Sequence, residues 1–195
     1  MKIIQIFLFF MLICISVMKA DAMDIRDHVS HTVASVQWTD NLGDNLIEII
    51  ETEERWNGDK RTKELFAYHY INNAGEKKQL WKVYDFIKDC EVDVTLDYID
   101  GSLMVTDLNN DGISETMFMY RMSCKGDVSN DDVKLIMHEG TKKYAIRGSM
   151  NLIMNGQSLQ QGSMKFDNAF DNAPDSFLDF AKEQWNKFNT ETIGN

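Results

Sequence analysis

The chain has 195 residues, and 31 Asp and Glu against 20 Lys and Arg give it a formal net charge of -11 at pH 7. Its 44% hydrophobic composition argues against intrinsic disorder and against a protein made of several membrane spans. An acidic chain without a long run of Lys and Arg lacks the positive segment that phosphate backbones attract, so we expect no nucleic acid partner.

The first residues follow the three-part pattern of a secretory signal peptide. Lys2 precedes an apolar run at residues 3–18, and Ala20 and Ala22 supply the small residues of a cleavage site. The run is shorter than the roughly 20 residues that span a bilayer. We therefore predict cleavage after Ala22, loss of Cys14 with the signal, and a periplasmic or secreted protein without a membrane span.

Two cysteines, Cys90 and Cys124, lie beyond the predicted cleavage site. In an exported chain, two thiols fit one disulfide better than a metal site. The alternative is two separately buried free thiols, because a sequence does not show whether two Cβ atoms are close enough to bridge. We predict a Cys90–Cys124 disulfide.

Several stretches alternate apolar and polar residues with the two-residue period of half-buried strands. Turn-forming residues stand between successive stretches, as in Asn57-Gly58 and Glu139-Gly140, which favours antiparallel hairpins. The predicted strands cover residues 33–38, 46–52, 65–71, 80–87, 103–107, 116–122, 133–138 and 144–147.

The pattern changes near the C-terminus. From Asp175 onward, apolar residues recur every three or four positions, which predicts an amphipathic helix with Asn172 as its cap and Pro174 in its first turn. Residues 149–170 indicate only a short helix or an irregular crossing. The predicted fold class is therefore mostly β (α+β), an antiparallel meander with a C-terminal helix packed on it, in one domain of residues 23–195.

The most specific motif lies at residues 107–115, where oxygen-bearing side chains fall at relative positions 1, 3, 5 and 9. Ca²⁺ takes six to eight oxygen ligands, and Gly112 at position 6 permits a sharp turn. We predict a structural Ca²⁺ site in which the carbonyl of Ile113 is a further ligand. The side-chain ligands would be Asp107, Asn109, Asp111 and Glu115.

The loop does not have the spacing of an EF-hand. An EF-hand would have Glu at position 12, but Phe118 stands there and the flanking segments are predicted strands. The loop resembles the calcium loops of integrin-type (FG-GAP) repeats, although the chain lacks the repeats of a propeller. The alternative to a cation site is a hairpin turn whose side chains cap their own backbone.

The sequence contains no recognised catalytic motif, so we assign no catalytic residues and no organic cofactor. Its tryptophans and tyrosines can form a platform for sugar rings, but core packing explains most of them equally well. Trp56 is the exception, because it stands beside the Asn57-Gly58 turn and is a candidate contact residue.

Residues 62–150 resemble a family of small exported bacterial proteins, common in Bacteroidetes-type Gram-negative species, that is labelled surface polysaccharide biosynthesis proteins. That resemblance implies a role in lipopolysaccharide or capsule production and supplies no catalytic residues to transfer. It is carried by residues 65–70, Trp81, Asp89-Cys90, 105–115, 120–129, 134–137 and 143–148.

The expected function is therefore that of an exported, non-catalytic accessory protein of the envelope, whose partner is an envelope glycan or an envelope-assembly protein. One alternative is a glycan-active periplasmic enzyme, which would need two carboxylates about 5 to 10 Å apart in an aromatic cleft. A second is an inhibitor of a basic enzyme such as lysozyme, suggested by the strongly acidic charge.

Overall fold

The computed structural model describes residues 29–194. The predicted signal peptide, its cleavage site after Ala22 and Cys14 lie outside the described residues. Within them, no helix has the length and apolar character needed to cross a membrane. The strands are β1 (Ser30–Asp40), β2 (Gly43–Thr52), β3 (Arg55–Asn57), β4 (Lys60–Asn73), β5 (Glu76–Cys90), β6 (Asp93–Tyr98), β7 (Met104–Thr106), β8 (Glu115–Lys125), β9 (Asp132–Glu139), β10 (Lys142–Ser149), β11 (Asn151–Met154), β12 (Gln157–Gln160), β13 (Ser163–Phe166) and β14 (Thr190–Ile193).

The first five strands form an antiparallel sheet, which we call the outer sheet, in the order β1-β2-β4-β5. The short β3 pairs with β4 beyond the end of β2. A second antiparallel sheet, the middle sheet, has the order β13-β10-β9-β8-β6, and β7 pairs with β8 beside β6. Long neighbouring strands joined by short turns confirm the predicted antiparallel, mostly β fold.

The middle sheet is buried on both faces. Along β8, Phe118 and Tyr120 pack towards the outer sheet, whereas Met117 and Met119 pack towards the C-terminal helix. Two apolar cores result, one between the two sheets and one between the middle sheet and the helix. A strand with both faces covered has a continuous apolar run instead of an alternating one, as residues 117–120 do.

The C-terminal helix, α1, spans Asp175–Phe188, as predicted, and buries Phe177, Ala181 and Trp185 against the middle sheet. The predicted details of its start are wrong. Pro174 is the N-cap residue, without a side-chain cap hydrogen bond, and lies outside the first turn. Asn172 ends a preceding 3₁₀ helix of residues Asn168–Asn172.

The expectation of a short helix or irregular crossing over residues 149–170 is wrong for most of that segment. It forms β11, β12 and β13 before the 3₁₀ helix begins. β11 pairs antiparallel with β12 and parallel with β14, which follows the C-terminal helix. The strands of this small sheet have only four residues each, too few to show a clear alternating pattern in the sequence.

The predicted disulfide between Cys90 and Cys124 is present, with a Cα–Cα distance of 5.8 Å. Cys90 is the last residue of β5 in the outer sheet, and Cys124 lies near the end of β8 in the middle sheet. The bond therefore ties the two sheets together at one end of the sandwich.

Candidate functional site

The predicted calcium loop connects β7 to β8, whose pairing ends at Thr106 and Glu115. Asn110 and Gly112 adopt positive φ angles of 59° and 82°, which give the loop its two sharp bends. A Cβ atom at Gly112 would also lie only 2.1 Å from the side-chain nitrogen of Asn41. Glycine is therefore required at this position on two counts.

Three of the predicted ligands are brought together by hydrogen bonds within the loop. Asp107 accepts from the backbone N–H groups of Asp111 and Gly112, each at 3.1 Å. Asn109 accepts from the N–H of Asp111 at 3.2 Å and donates to the Asp111 carboxylate at 3.1 Å. The side chains thus converge on one another and also cap the loop backbone.

Glu115, the fourth predicted side-chain ligand, is 1% exposed. Its Oε2 accepts hydrogen bonds from the N–H of Leu108 at 2.8 Å and the hydroxyl of Thr106 at 3.2 Å. Its Oε1 is buried and makes no hydrogen bond within the described part of the chain. Burial raises the pKa of this carboxyl. A buried carboxylate oxygen without a partner is costly, and a bound cation would remove that cost.

The loop is held against the turn between β1 and β2. The Asn41 backbone N–H donates to the carbonyl of Gly112 at 2.9 Å, and the Asn41 side chain donates to the carbonyl of Asp111 at 3.2 Å. Asp40 accepts a hydrogen bond from the N–H of Ser114 at 3.0 Å. Burial alone would raise the pKa of the Asp40 carboxyl, but this and other hydrogen bonds lower it overall. The loop therefore joins the two sheets at the end opposite the disulfide.

Residues 29–194 contain no group of three or more His, Cys, Asp or Glu side chains arranged to hold a metal ion. The three predicted carboxylate ligands, Asp107, Asp111 and Glu115, therefore do not form such a group by themselves, and the predicted set also depends on the Asn109 amide and the Ile113 backbone carbonyl. Asn109 also donates to Glu139 at 2.8 Å, a carboxylate that lies opposite Glu115 on β9 and was not identified from the sequence.

A second feature is a strip of aromatic side chains on the solvent-facing side of the outer sheet, which we call the aromatic strip. Neighbouring rings along it have centroid distances of 5.9, 6.1, 4.9 and 5.5 Å. The ammonium group of Lys82 lies over three of these rings, at 5.0 to 5.5 Å. The strip consists, in order, of Tyr70, Tyr68, Phe66, Tyr84 and Phe86.

The aromatic strip leads into a groove of about 520 Å³, the largest of those described, which we call the aromatic groove. Trp56, on the short β3, forms one wall and is 59% exposed. Tyr84 and Phe86, on β5, form the opposite wall and are 43% and 47% exposed. The guanidinium of Arg61 lies 4.2 Å from the Trp56 ring and holds the indole in place.

The floor of the aromatic groove is polar. Glu64 has a buried side chain and forms an ion pair with Arg55, at 2.5 Å. It also accepts a hydrogen bond from the Tyr84 hydroxyl at 2.7 Å. Burial of that hydroxyl, together with the hydrogen bond to the carboxylate, raises the pKa of Tyr84 to about 12. The groove thus combines exposed ring faces with a fixed carboxylate, guanidinium and phenol.

The sequence singles out Trp56 in this groove and includes Tyr84 only among the aromatic residues that could form a platform for sugar rings. The turn at residues 57–58 was the signal for Trp56, because it places the indole at a strand end. Tyr84 and Phe86 could also have been found from the sequence. They occupy the alternate positions of β5 whose side chains face solvent, where large aromatic residues are unexpected.

The chain was compared with family models, curated proteins and solved structures. No family model, no curated protein and no solved structure matches the chain. Function is therefore inferred from the residues themselves.

Proposed function

We propose that the protein is an exported, non-catalytic accessory of the bacterial envelope that binds a surface glycan in the aromatic groove. The observation that carries this proposal is the exposed pair of aromatic walls, Trp56 on one side and Tyr84 with Phe86 on the other, above the Glu64–Arg55 floor. The predicted signal peptide supports export. The resemblance of residues 62–150 to surface polysaccharide biosynthesis proteins favours a glycan as the ligand.

The chemistry of the groove suits a sugar ring. One face of a pyranose presents C–H groups that pack on an aromatic face, and its edge presents hydroxyls that need hydrogen-bond partners. Trp56 and Tyr84 supply the faces, the partly exposed Arg55 supplies donors, and the buried Glu64 holds Arg55 and the Tyr84 hydroxyl in position. Binding sites typically combine such apolar walls with a few fixed polar groups. Further along the strip, Phe66 and Tyr68 are only 5% and 7% exposed beneath Lys82, so the accessible ring faces are those of Trp56, Tyr84 and Phe86.

The loop at residues 107–115 is proposed as a structural Ca²⁺ site. The unpartnered Oε1 of the buried Glu115 supports this proposal. Carboxylate oxygens of Asp107 and Asp111 that already accept one hydrogen bond retain a further lone pair for a cation. The ion would stabilise the contact between the loop and the β1–β2 turn and would take no part in a reaction.

The glycan proposal is tested by affinity electrophoresis of residues 23–195 in gels that contain purified lipopolysaccharide or capsular polysaccharide. We expect the parent protein to be retarded and Trp56→Ala to migrate as in a gel without glycan. Leu159→Ala is the matched control, because Leu159 is also an exposed apolar residue but lies in the small sheet. Equal migration of the parent and Trp56→Ala in every gel would contradict the proposal.

A further inference from the structure

Three cationic side chains lie directly opposite one another on neighbouring strands of the middle sheet. Lys134 on β9 pairs with Arg147 on β10, and Arg147 pairs with Lys165 on β13. We call these three residues the cationic row. Like charges directly opposite one another destabilise a sheet, so the row opposes folding unless an anion compensates it. The row cannot be recognised in the sequence, because each of its three residues belongs to a different strand.

The cationic row lies beside the edge of the outer sheet. Asp85 of β5 forms an ion pair with Lys134 and accepts a hydrogen bond from the Tyr120 hydroxyl at 2.8 Å. Beyond that contact, Arg147 and Lys165 are exposed. A cavity of about 340 Å³ opens at this edge and is lined by Lys134 and Arg147 among others.

A fourth cation, Lys143, lines the same cavity on the same face of β10 as Arg147. Burial and the nearby charge of Arg147 lower the pKa of Lys143, with a smaller contribution from Lys134, against the opposing effects of Asp167 and Asp85. Within residues 29–194, neither Lys143, Arg147 nor Lys165 forms an ion pair. Asp85, Asp132 and Asp167 line this cavity or the two that adjoin it, so the carboxylates balance the cations only in part.

Two hydroxyl groups stand next to the row. Ser149 and Ser163 are paired on β10 and β13, one pleat away from Arg147 and Lys165, and their hydroxyl oxygens are 3.0 Å apart. They line a neighbouring cavity of about 440 Å³ together with Arg147, Lys165 and one carboxylate, Asp132 on β9, which is paired with Ser149. Guanidinium, ammonium and hydroxyl donors thus face one opening, which is the donor set that a tetrahedral oxyanion needs.

We propose that the cationic row, with Ser149 and Ser163, binds the phosphate group of a small phosphorylated ligand, and that Lys143 adds positive charge at the far end of the site. Arg147 is central, because its planar fork can donate two parallel hydrogen bonds to one phosphate. Several converging cations match the charge of a phosphate better than that of a single carboxylate. The net charge of -11 disfavours a long polyanion, which would meet repulsion from the rest of the molecule.

The test is a calorimetric titration of inorganic pyrophosphate into the parent protein and Arg147→Gln at low and moderate ionic strength. We expect saturable one-site binding that weakens with salt and a loss of affinity of about tenfold or more in Arg147→Gln. Lys187→Gln is the matched control, because Lys187 is an exposed cation in the last turn of the C-terminal helix, and it should bind as the parent does.

A stability readout keeps the test independent of misfolding. Because Arg147 lies between two other cations, Arg147→Gln should unfold at the same denaturant concentration as the parent or at a higher one. Retained pyrophosphate binding by a folded Arg147→Gln protein would overturn the proposal, and so would absence of saturable binding to the parent.

A parallel sedimentation assay with vesicles of phosphatidylglycerol and phosphatidylethanolamine identifies the source of the phosphate. Co-sedimentation that depends on Arg147 and is displaced by pyrophosphate would assign the site to a lipid headgroup. Pyrophosphate binding without co-sedimentation would assign it to a soluble phosphate ester. Either result supports the phosphate site, whose central residue, Arg147, belongs to the middle sheet and does not line the aromatic groove.

Discussion

The indole of Trp81 lies nearly parallel to the imidazole of His138, with ring centroids 4.2 Å apart. Trp81 belongs to the outer sheet and His138 to the middle sheet, so the two rings stack across the interface between them. His69 contacts the same indole edge-on at 5.3 Å and forms a hydrogen bond of 2.8 Å with Asn45. Two histidines are therefore enclosed in the core between the sheets.

This enclosure predicts that the protein loses stability on mild acidification. Burial lowers the pKa of His69 to about 4 and that of His138 to about 3. Below the unfolded pKa of about 6.5, the two histidines become protonated in the unfolded chain but stay neutral in the folded chain. The free energy of unfolding therefore falls as the pH falls. Each histidine should account for about 2 kcal/mol between pH 7.5 and pH 5.

Urea unfolding of the parent and of His138→Gln across that pH range measures this effect. The difference in pH slope between the two proteins should amount to the contribution of one histidine. His31→Gln is the control, because His31 has an exposed side chain on β1, and it should keep the parent slope. Identical slopes for the parent and His138→Gln would show that folding does not lower the pKa of His138.

The disulfide predicts a large, separate contribution to stability. It closes a loop with a sequence separation of 34 residues, which corresponds to about 3 to 4 kcal/mol in the chain-entropy description. Reduction of the parent should therefore lower the free energy of unfolding by about that amount, as should the Cys90→Ser/Cys124→Ser double variant. Urea unfolding with and without reductant checks this, and a reductant effect on the double variant would point to another cause.

Much of the architecture can be predicted from short-range pattern. Burial alternates along most of β2 because one face of the outer sheet packs on the middle sheet, whereas residues 64–69 of β4 are buried on both faces. The turn residues mark the hairpins between strands. Residues 117–120 also carried a signal of a sheet covered on both faces, since four consecutive apolar or aromatic residues break the alternation. The prediction of one sheet with a helix packed on it placed the helix correctly. It did not anticipate that the strands divide into two sheets that pack face to face.

Other features depend on long-range pairing and leave little trace in the sequence. β11 is only four residues long and pairs with β14 across the whole C-terminal helix, so no local period identifies it. Glu139 reaches the loop at residues 107–115 only because β8 and β9 are in register. The cationic row arises in the same way, from strand register and not from proximity along the chain.

The calcium loop predicts opposite effects of one substitution with and without the ion. In chelator-treated protein, Glu115→Gln should equal or exceed the parent in stability, because it removes a buried charge whose Oε1 has no partner. At millimolar Ca²⁺ the parent should gain stability and Glu115→Gln should gain much less. Thermal unfolding of both proteins, with chelator and with Ca²⁺, measures whether their order of stability reverses.

Two controls accompany that experiment. Asp111→Ala should also lose the response to Ca²⁺, because it removes a proposed ligand. Glu183→Gln should respond as the parent does, because Glu183 is an exposed carboxylate on the C-terminal helix. Absence of any Ca²⁺ effect on the parent would reduce residues 107–115 to a hairpin turn capped by its own side chains.

Within the aromatic groove, Tyr84→Phe separates the hydroxyl from the ring. The Tyr84 hydroxyl donates to Glu64 at 2.7 Å, so its removal leaves that buried carboxylate with Arg55 alone. We expect a loss of stability of about 1 kcal/mol and a glycan affinity reduced by a few fold, because the stacking face remains. Urea unfolding and calorimetry distinguish the two effects, and an unchanged free energy of unfolding would contradict the assigned hydrogen bond.

The most direct test of the account is a calorimetric titration of a defined envelope oligosaccharide into the parent protein, Trp56→Ala and Leu159→Ala. We expect saturable binding by the parent and by Leu159→Ala, and about a fivefold or greater loss of affinity in Trp56→Ala, since a stacked aromatic face contributes about 1 kcal/mol or more. Equal affinity of Trp56→Ala and the parent, or no binding by a folded parent to lipopolysaccharide and capsular oligosaccharides, would contradict a glycan-binding role.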